Sequence, residues 1–263
     1  MGNLLTQNSE LRPLGIHNWT LPAWVVRTAD GRNINVCEQA GACVKLCYAR
    51  QGAYRFPGVA AAHERNLLMV MDTLSEWTVA ILDELDKPRF RPKGTPWLPN
   101  LDRGHLDPAL AALLDSGAPM IRIHDSGDFL SDDYLAAWVH IATLRPDVVF
   151  YAYTKEVSRV RRVAPEPPHN LLFCYSLGGR EDYLLDLEEG GDRHADVFPD
   201  EDAIDAAGYY NQDEHDLLCV VAPSTRIGIP ANNIRHLQKR QGDETFGTLE
   251  AKTVRHVGGR PTP

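Results

Sequence analysis

The sequence predicts an α/β fold, a partial or full (β/α) barrel of mostly parallel strands carrying an acidic insertion. Three observations lead there. Apolar runs of strand length alternate with amphipathic stretches of helix length through the middle of the chain, as in parallel βαβ units. Several of those runs end in polar residues, at the edge where such folds place their chemistry. The length of 263 residues and an apolar share of 43% suit one large domain with its own core.

The elements follow in order. Residues 1–33 form an irregular lead-in with Trp19, Pro22 and Trp24, and Ile34-Asn35-Val36 is a short apolar alternation ending at Cys37. Residues 44–54 and 59–86 carry helical periodicity. In the second stretch Leu67, Val70, Met71, Leu74, Trp77 and Ile81 form one apolar stripe, which is core packing. Four prolines between 88 and 99 demand a loop. Asp107 then caps a short helix with Pro108 at its first position, and Gly117 closes it. Residues 120–124 read as a strand, and Ser131 caps a helix carrying Leu135, Trp138, Val139 and Ala142 on one face. Strands are expected at 148–153, 171–176 and 216–221, with a helix over 156–163. Residues 181–216 are strongly acidic and read as a solvated insertion in a barrel-like domain spanning 34–222. Residues 223–263 read as a polar extension.

Composition removes several functional classes. With 27 basic and 36 acidic residues the formal charge is −9, which argues against coating nucleic acid through a global positive field. Basic runs at 87–93, 159–162 and 226–240 read as solvated faces, although on one shared rim they would track a phosphate backbone. No apolar run is long enough for a bilayer, and the N-terminus lacks a basic start followed by an apolar stretch, so a cytoplasmic protein is expected. The glycine-rich nucleotide loops, the zinc protease motif and the serine nucleophile elbow are all missing.

The chemistry concentrates in cysteines and strand ends. Cys37, Cys43 and Cys47 lie within eleven residues, whereas Cys174 and Cys219 stand alone in apolar segments and read as buried core thiols. Three thiolates from one loop and the first turn of a helix would bind three corners of a cubane and leave one iron open to a small molecule. The spacing leaves open a zinc site completed by His63 or Cys174, and unliganded thiols. After the strand at 120–124, Asp125-Ser126-Gly127-Asp128 could meet a ligand: Gly127 by close backbone approach, Asp125 or Asp128 by accepting from an ammonium or ribose. The competing reading is a capping loop for the next helix. Thr154 and Lys155 would emerge on the same rim, and Ser176 before Gly178-Gly179-Arg180 makes a third polar strand end.

Three cysteines with Tyr48-Ala49 after the last, a strand into His-Asp-Ser-Gly-Asp-Phe, and Phe-Tyr-Ala-Tyr-Thr-Lys resemble the bacteriophage family known as gene product 88. More distantly, residues 30–222 resemble the radical S-adenosylmethionine enzymes, in particular the spore photoproduct lyase branch. That resemblance implies a [4Fe–4S] cluster on Cys37, Cys43 and Cys47, with S-adenosylmethionine chelating the fourth iron. Its reductive cleavage would give a 5′-deoxyadenosyl radical and would need an external electron donor. Ser126, Gly127 and Asp128 would occupy the place of the loop that holds the methionyl amine, with Thr154 and Lys155 near the ribose or carboxylate. The substrate would be unknown, with nucleic acid or a nucleotide as candidates, in the host cytoplasm. The spacing of five and three departs from the usual three and two, and Leu46 stands where an aromatic residue is common. No cysteine follows Cys219, so an auxiliary cluster is not expected. The alternative is a non-catalytic phage module, stabilised by zinc or a cluster, that binds a protein or nucleic-acid partner.

Overall fold

The computed structural model describes residues 3–258. Its centre is a seven-stranded sheet in which every pairing is parallel. The strands in chain order are β1 (Ile16–Trp19), β4 (Met120–Ile123), β5 (Val149–Thr154), β6 (Leu171–Ser176), β7 (His194–Phe198), β8 (Tyr210–Asn211) and β9 (Arg226–Pro230). Across the sheet they run β1-β4-β5-β6-β7-β9-β8, and a separate antiparallel ribbon joins β2 (Val25–Arg27) to β3 (Asn33–Asn35). The outer strands β1 and β8 do not pair with each other among the described residues. Alternation of helices with parallel strands is therefore the architecture, as expected.

Ten helices accompany the strands among the described residues: α1 (Cys43–Leu46), α2 (Pro57–Asp72), α3 (Leu74–Leu85), α4 (Pro108–Ser116), α5 (Asp132–Leu144), α6 (Val157–Val163), α7 (Glu201–Ala206), α8 (Leu218–Val221), α9 (Arg235–Gln241) and α10 (Phe246–Gly258). Strand alternation sends side chains to two cores. Ile121, Ile123, Phe150 and Ala152 pack with Leu67, Trp77, Trp138 and Val160 on one face. Met120, Val149, Tyr151 and Cys174 pack with Leu110, Leu114 and the whole of α8 on the other. No helix among the described residues is long and apolar enough to cross a membrane.

Capping signals act as read. The Asp107 carboxylate accepts from the amides of Ala109 and Leu110, Gly117 ends α4 at φ 68°, and the Ser131 hydroxyl accepts from the Tyr134 amide. Other expectations need correction. Residues 59–86 form two helices because Thr73 leaves helical conformation, at φ −143°, while its carbonyl still accepts the Trp77 amide. Residues 44–54 yield only α1 and two short 3₁₀ turns, Tyr48–Arg50 and Gly52–Arg55. The expected strand at 216–221 is the short helix α8, so Cys219 is helical. All four residues of α8 are buried, and an apolar run buried on every side has no periodicity to distinguish helix from strand. Asp216 just before it reaches across to Arg122 on β4 at 3.1 Å.

The segment 181–216 is more than a solvated insertion, since it supplies β7 between β6 and β9. The lead-in supplies β1, and residues beyond 223 supply β9, α9 and α10. Because β1 lies beside β4, everything between them is one long crossover that leaves β1 at its C-terminal end. The cysteine segment therefore starts on the same rim as the polar ends of β4 and β5.

One buried amide secures the approach to β5. Asn170 Nδ2 donates to the carbonyls of Ala142, Arg145 and Val148 at 3.1, 2.9 and 2.8 Å, closing the end of α5 and the turn after it. Asn170→Ala should lower stability by about 2 kcal/mol, read by chemical denaturation, because it strands buried carbonyls.

Candidate metal and cofactor centre

The three cysteines come together on an arm between the ribbon and α2. Cys37 follows β3, and its amide donates to Asn35 Oδ1 at 3.1 Å. Its sulfur accepts the Trp24 amide at 3.3 Å, from a residue held in the left-handed region at φ 59°. That conformation is unfavourable for a bulky side chain, and the bonds on either side hold it: the Trp24 carbonyl also accepts the Val36 amide. Cys43 opens α1 and Cys47 closes it. The loop between Cys37 and Cys43 is stitched to the end of β6. The amides of Gly41 and Cys43 both donate to the Gly178 carbonyl, at 3.1 and 3.3 Å, and the Arg180 amide donates to the Gln39 carbonyl at 2.8 Å.

All three are free, partly buried thiols. Burial pushes each of their pKa values up. Cys37 also feels Asp128 and, less strongly, the other two cysteines, while Lys155 acts in the opposite sense on Cys43. Among the described residues no three His, Cys, Asp or Glu side chains converge closely enough to hold a metal ion. Neither His63 nor Cys174 therefore completes such a set with the trio. His63 instead stacks near Tyr54 at 5.9 Å, and Cys174 lies fully buried in β6.

The strand-end residues meet on this rim. Asp128 is buried and takes three donors: the Phe129 amide at 2.9 Å, the Thr154 hydroxyl at 2.6 Å and the Lys155 amide at 2.9 Å. Its own amide donates to the Val36 carbonyl at 2.9 Å, next to Cys37. Burial raises the Asp128 pKa, against the pull of those donors. The Lys155 ammonium donates to Ser176 Oγ and to the Ser176 and Leu177 carbonyls, at 2.7, 2.8 and 3.1 Å. Ser126 donates its hydroxyl to the Leu21 carbonyl and accepts the Leu21 amide on its own carbonyl. Gly127 sits at φ 84°, and a Cβ there would lie 2.7 Å from Leu21 Cβ and 3.1 Å from the Pro22 carbonyl. The close approach that Gly127 allows is thus to the segment after β1.

Asp125 faces the cysteine arm. Its carboxylate accepts the Tyr54 hydroxyl at 2.5 Å, and its carbonyl accepts the Tyr48 hydroxyl at 2.6 Å. Tyr54 was not singled out by sequence, and Tyr48 only as part of a motif; both lie on the 3₁₀ turns that replace the expected helix. Two further carboxylates join the rim without a sequence signal beyond their charge. Glu156 accepts the Gln39 amide at 3.3 Å, and burial first and Asp128 second lift its pKa to about 7. Asp182 accepts the amides of Gly178 and Gly179 at 2.8 and 3.0 Å, and burial lifts it to about 6.

Ion pairs occupy basic residues in two of the three basic runs. Arg159 pairs with Glu38, Asp132 and Glu156, Arg162 with Asp132, Arg161 with Asp192, and Arg89 with Glu84.

Comparison with known proteins then places the chain. The profile of the family described as Gene product 88 matches residues 3–256. The chain belongs to the gene product 88 family. This gene product 88 protein is also similar to the "Gene 88 protein" of Mycobacterium phage L5, 26% identical over 126 residues. That match covers 48% of this chain and 45% of the phage L5 protein, so it spans under half of either. No solved structure matches the chain.

His124 offers a test of the rim itself. It is buried at φ 69°, and its Nε2 shares a hydrogen bond of 2.8 Å with the Tyr134 hydroxyl, which also accepts Trp19 Nε1–H at 2.9 Å. Its Nδ1 has no partner within the structure. Burial, assisted by Arg122, lowers the pKa from 6.5 to about 3. A depressed pKa gives stability that is whole above the unfolded value and drains as pH falls through the window from 6.5 to 3. The wild-type protein should lose about 3 kcal/mol from this group by roughly pH 4. Denaturation midpoints of His124→Asn, which tolerates the left-handed backbone and does not titrate, should fall less steeply over the same range.

Proposed function

We propose that this gene product 88 protein binds a [4Fe–4S] cluster through Cys37, Cys43 and Cys47 and is a radical S-adenosylmethionine-type enzyme of a phage. The observation that supports the reading is the placement of the trio: three free, partly buried thiols on one arm, tied to the polar ends of β4, β5 and β6. Three thiols would take three corners of such a cubane and leave its fourth iron open.

When bound, the cluster and S-adenosylmethionine would supply one-electron cleavage of a carbon–sulfur bond, fed by an external electron donor. The protein's own residues supply the frame. Asp128 and Thr154 fix the ends of β4 and β5 beside Cys37. Gly178 and Lys155 fix the end of β6 beside Cys43. Ser126, Gly127, Asp128, Thr154 and Lys155 would hold S-adenosylmethionine beside the cluster, while the Asp125 carboxylate accepts the Tyr54 hydroxyl. The substrate is unknown, with a nucleic acid or nucleotide of the host cytoplasm as the candidate class.

A second reading rests on a specific observation. The hydroxyl of Ser126, the carboxylate of Asp128 and the ammonium of Lys155 are all engaged inside the chain, which is what a structural centre in a partner-binding module would show.

Anaerobic expression and reconstitution with iron and sulfide separate these readings. The enzyme reading expects a brown protein with about four irons per chain. It also expects 5′-deoxyadenosine on reduction with S-adenosylmethionine, with Cys43→Ser abolishing both. A cluster without deoxyadenosine supports the structural module. Colourless protein with stoichiometric zinc would sink the cluster altogether.

A further inference from the structure

The C-terminal segment reaches the cysteine arm from outside the sheet. Glu250 of α10 is buried, and its carboxylate accepts the Ala42 amide at 2.5 Å, one residue before Cys43. Gly41 makes room for it: a Cβ on Gly41 would lie 2.2 Å from the same carboxylate oxygen. At the other end of α1, Arg240 of α9 donates to the Lys45 carbonyl at 2.6 Å, two residues before Cys47. Both backbone ends of the cysteine helix are thus held by side chains some two hundred residues away in sequence.

Those two side chains start from anchored backbone. Gly247 at the start of α10 donates its amide to Asp196 of β7 at 3.0 Å, and Phe246 packs against Gly178, where a Cβ would meet it at 3.0 Å. Gln241 at the end of α9 donates to the Val197 and Glu244 carbonyls, each at 3.0 Å. Gly178 is also the residue whose carbonyl takes the amides of Gly41 and Cys43. The loop before Cys43 is therefore gripped from two sides, by the end of β6 and by Glu250. Along the same loop the remaining grips are backbone bonds, the side chain of Glu156 and the ion pair of Glu38 with Arg159.

We infer that Glu250 is a positioning residue for Cys43, with Arg240 as its counterpart at Cys47, so that the C-terminal helices set the separation of the thiols. This inference rests on the cluster reading for its consequence, though the grip itself does not. Removing the carboxylate leaves the buried Ala42 amide without its acceptor, while Gly41 keeps the space that Glu250 filled. The arm before Cys43 then loosens while the sheet beneath it stays intact. Gln at 250 retains a carbonyl oxygen at the same reach and restores the bond.

Alkylation of the metal-free protein, resolved by cysteine with mass spectrometry, tests the grip directly. Cys174, fully buried in β6, reports whether the whole fold has opened. Glu250→Ala should raise the alkylation rate of Cys43 about tenfold with Cys174 unchanged, and Glu250→Gln should stay within about twofold of wild type. Val254→Ala, at an exposed position on the same helix, should change neither rate. After reconstitution, a ferrous chelator should strip iron from Glu250→Ala about tenfold faster than from wild type. Unchanged Cys43 reactivity in Glu250→Ala would overturn the inference, and so would a parallel rise at Cys174, which would make Glu250 a support of the fold as a whole. If the wild-type protein takes up no iron, the cluster reading fails while the alkylation result still decides the grip.

Discussion

The carboxylate of Asp128 is the constraint on which the rim depends. A buried carboxylate is costly unless its oxygens are occupied, and Asp128 occupies them with donors from two different strand ends. Its backbone meanwhile donates to Val36, so one residue joins β4, β5 and the start of the cysteine arm. Burial still outweighs the donors in setting its pKa, which marks the site as poorly solvated. Neighbouring strand ends repeat the device. Lys155 ties β5 to β6, and Asp182 folds the two glycines after β6 into a shape that presents the Gly178 carbonyl to the cysteine loop.

Much of this was legible because local rules and tertiary demands agree. The caps at Asp107 and Ser131, the strands at β4, β5 and β6, and the polar rim beyond them follow from turn chemistry and periodicity that the fold leaves undisturbed. What was not legible has two physical causes. Burial on all sides erased the period of α8 and made it read as a strand. Charge disguised β7, because a strand of five residues inside an acidic stretch contributes little to the average composition around it, although its pattern is mostly buried.

The candidate site divides along the same line. Cys37, Cys43 and Cys47 declare themselves by spacing, and Asp128, Thr154 and Lys155 by position after strands. Tyr54, Glu156 and Glu250 could not be found in this way, since each is an ordinary residue type made significant by a contact 71, 117 or 208 residues distant in sequence. Ser126, Asp128 and Lys155 bond to their own chain, and Gly127 serves the contact with Leu21.

The result is a cross-linked frame carrying an arm of short elements. The frame consists of parallel strand ends cross-linked by buried side chains, with a core on each face of the sheet. The arm consists of a two-stranded ribbon, one turn of helix and two 3₁₀ turns, all too short to be stable alone. Its geometry is therefore borrowed from what touches it: Asp125 through Tyr48 and Tyr54, Gly178 through two amides, and Glu250 and Arg240 from the C-terminal helices. An arm held at both ends by separate elements can place three thiols at distances that one helix turn by itself would not allow. That follows from the spacing: four residues from Cys43 to Cys47 lie on one helical face, while Cys37 has to arrive from the ribbon, across the loop that Gly178 and Glu250 grip.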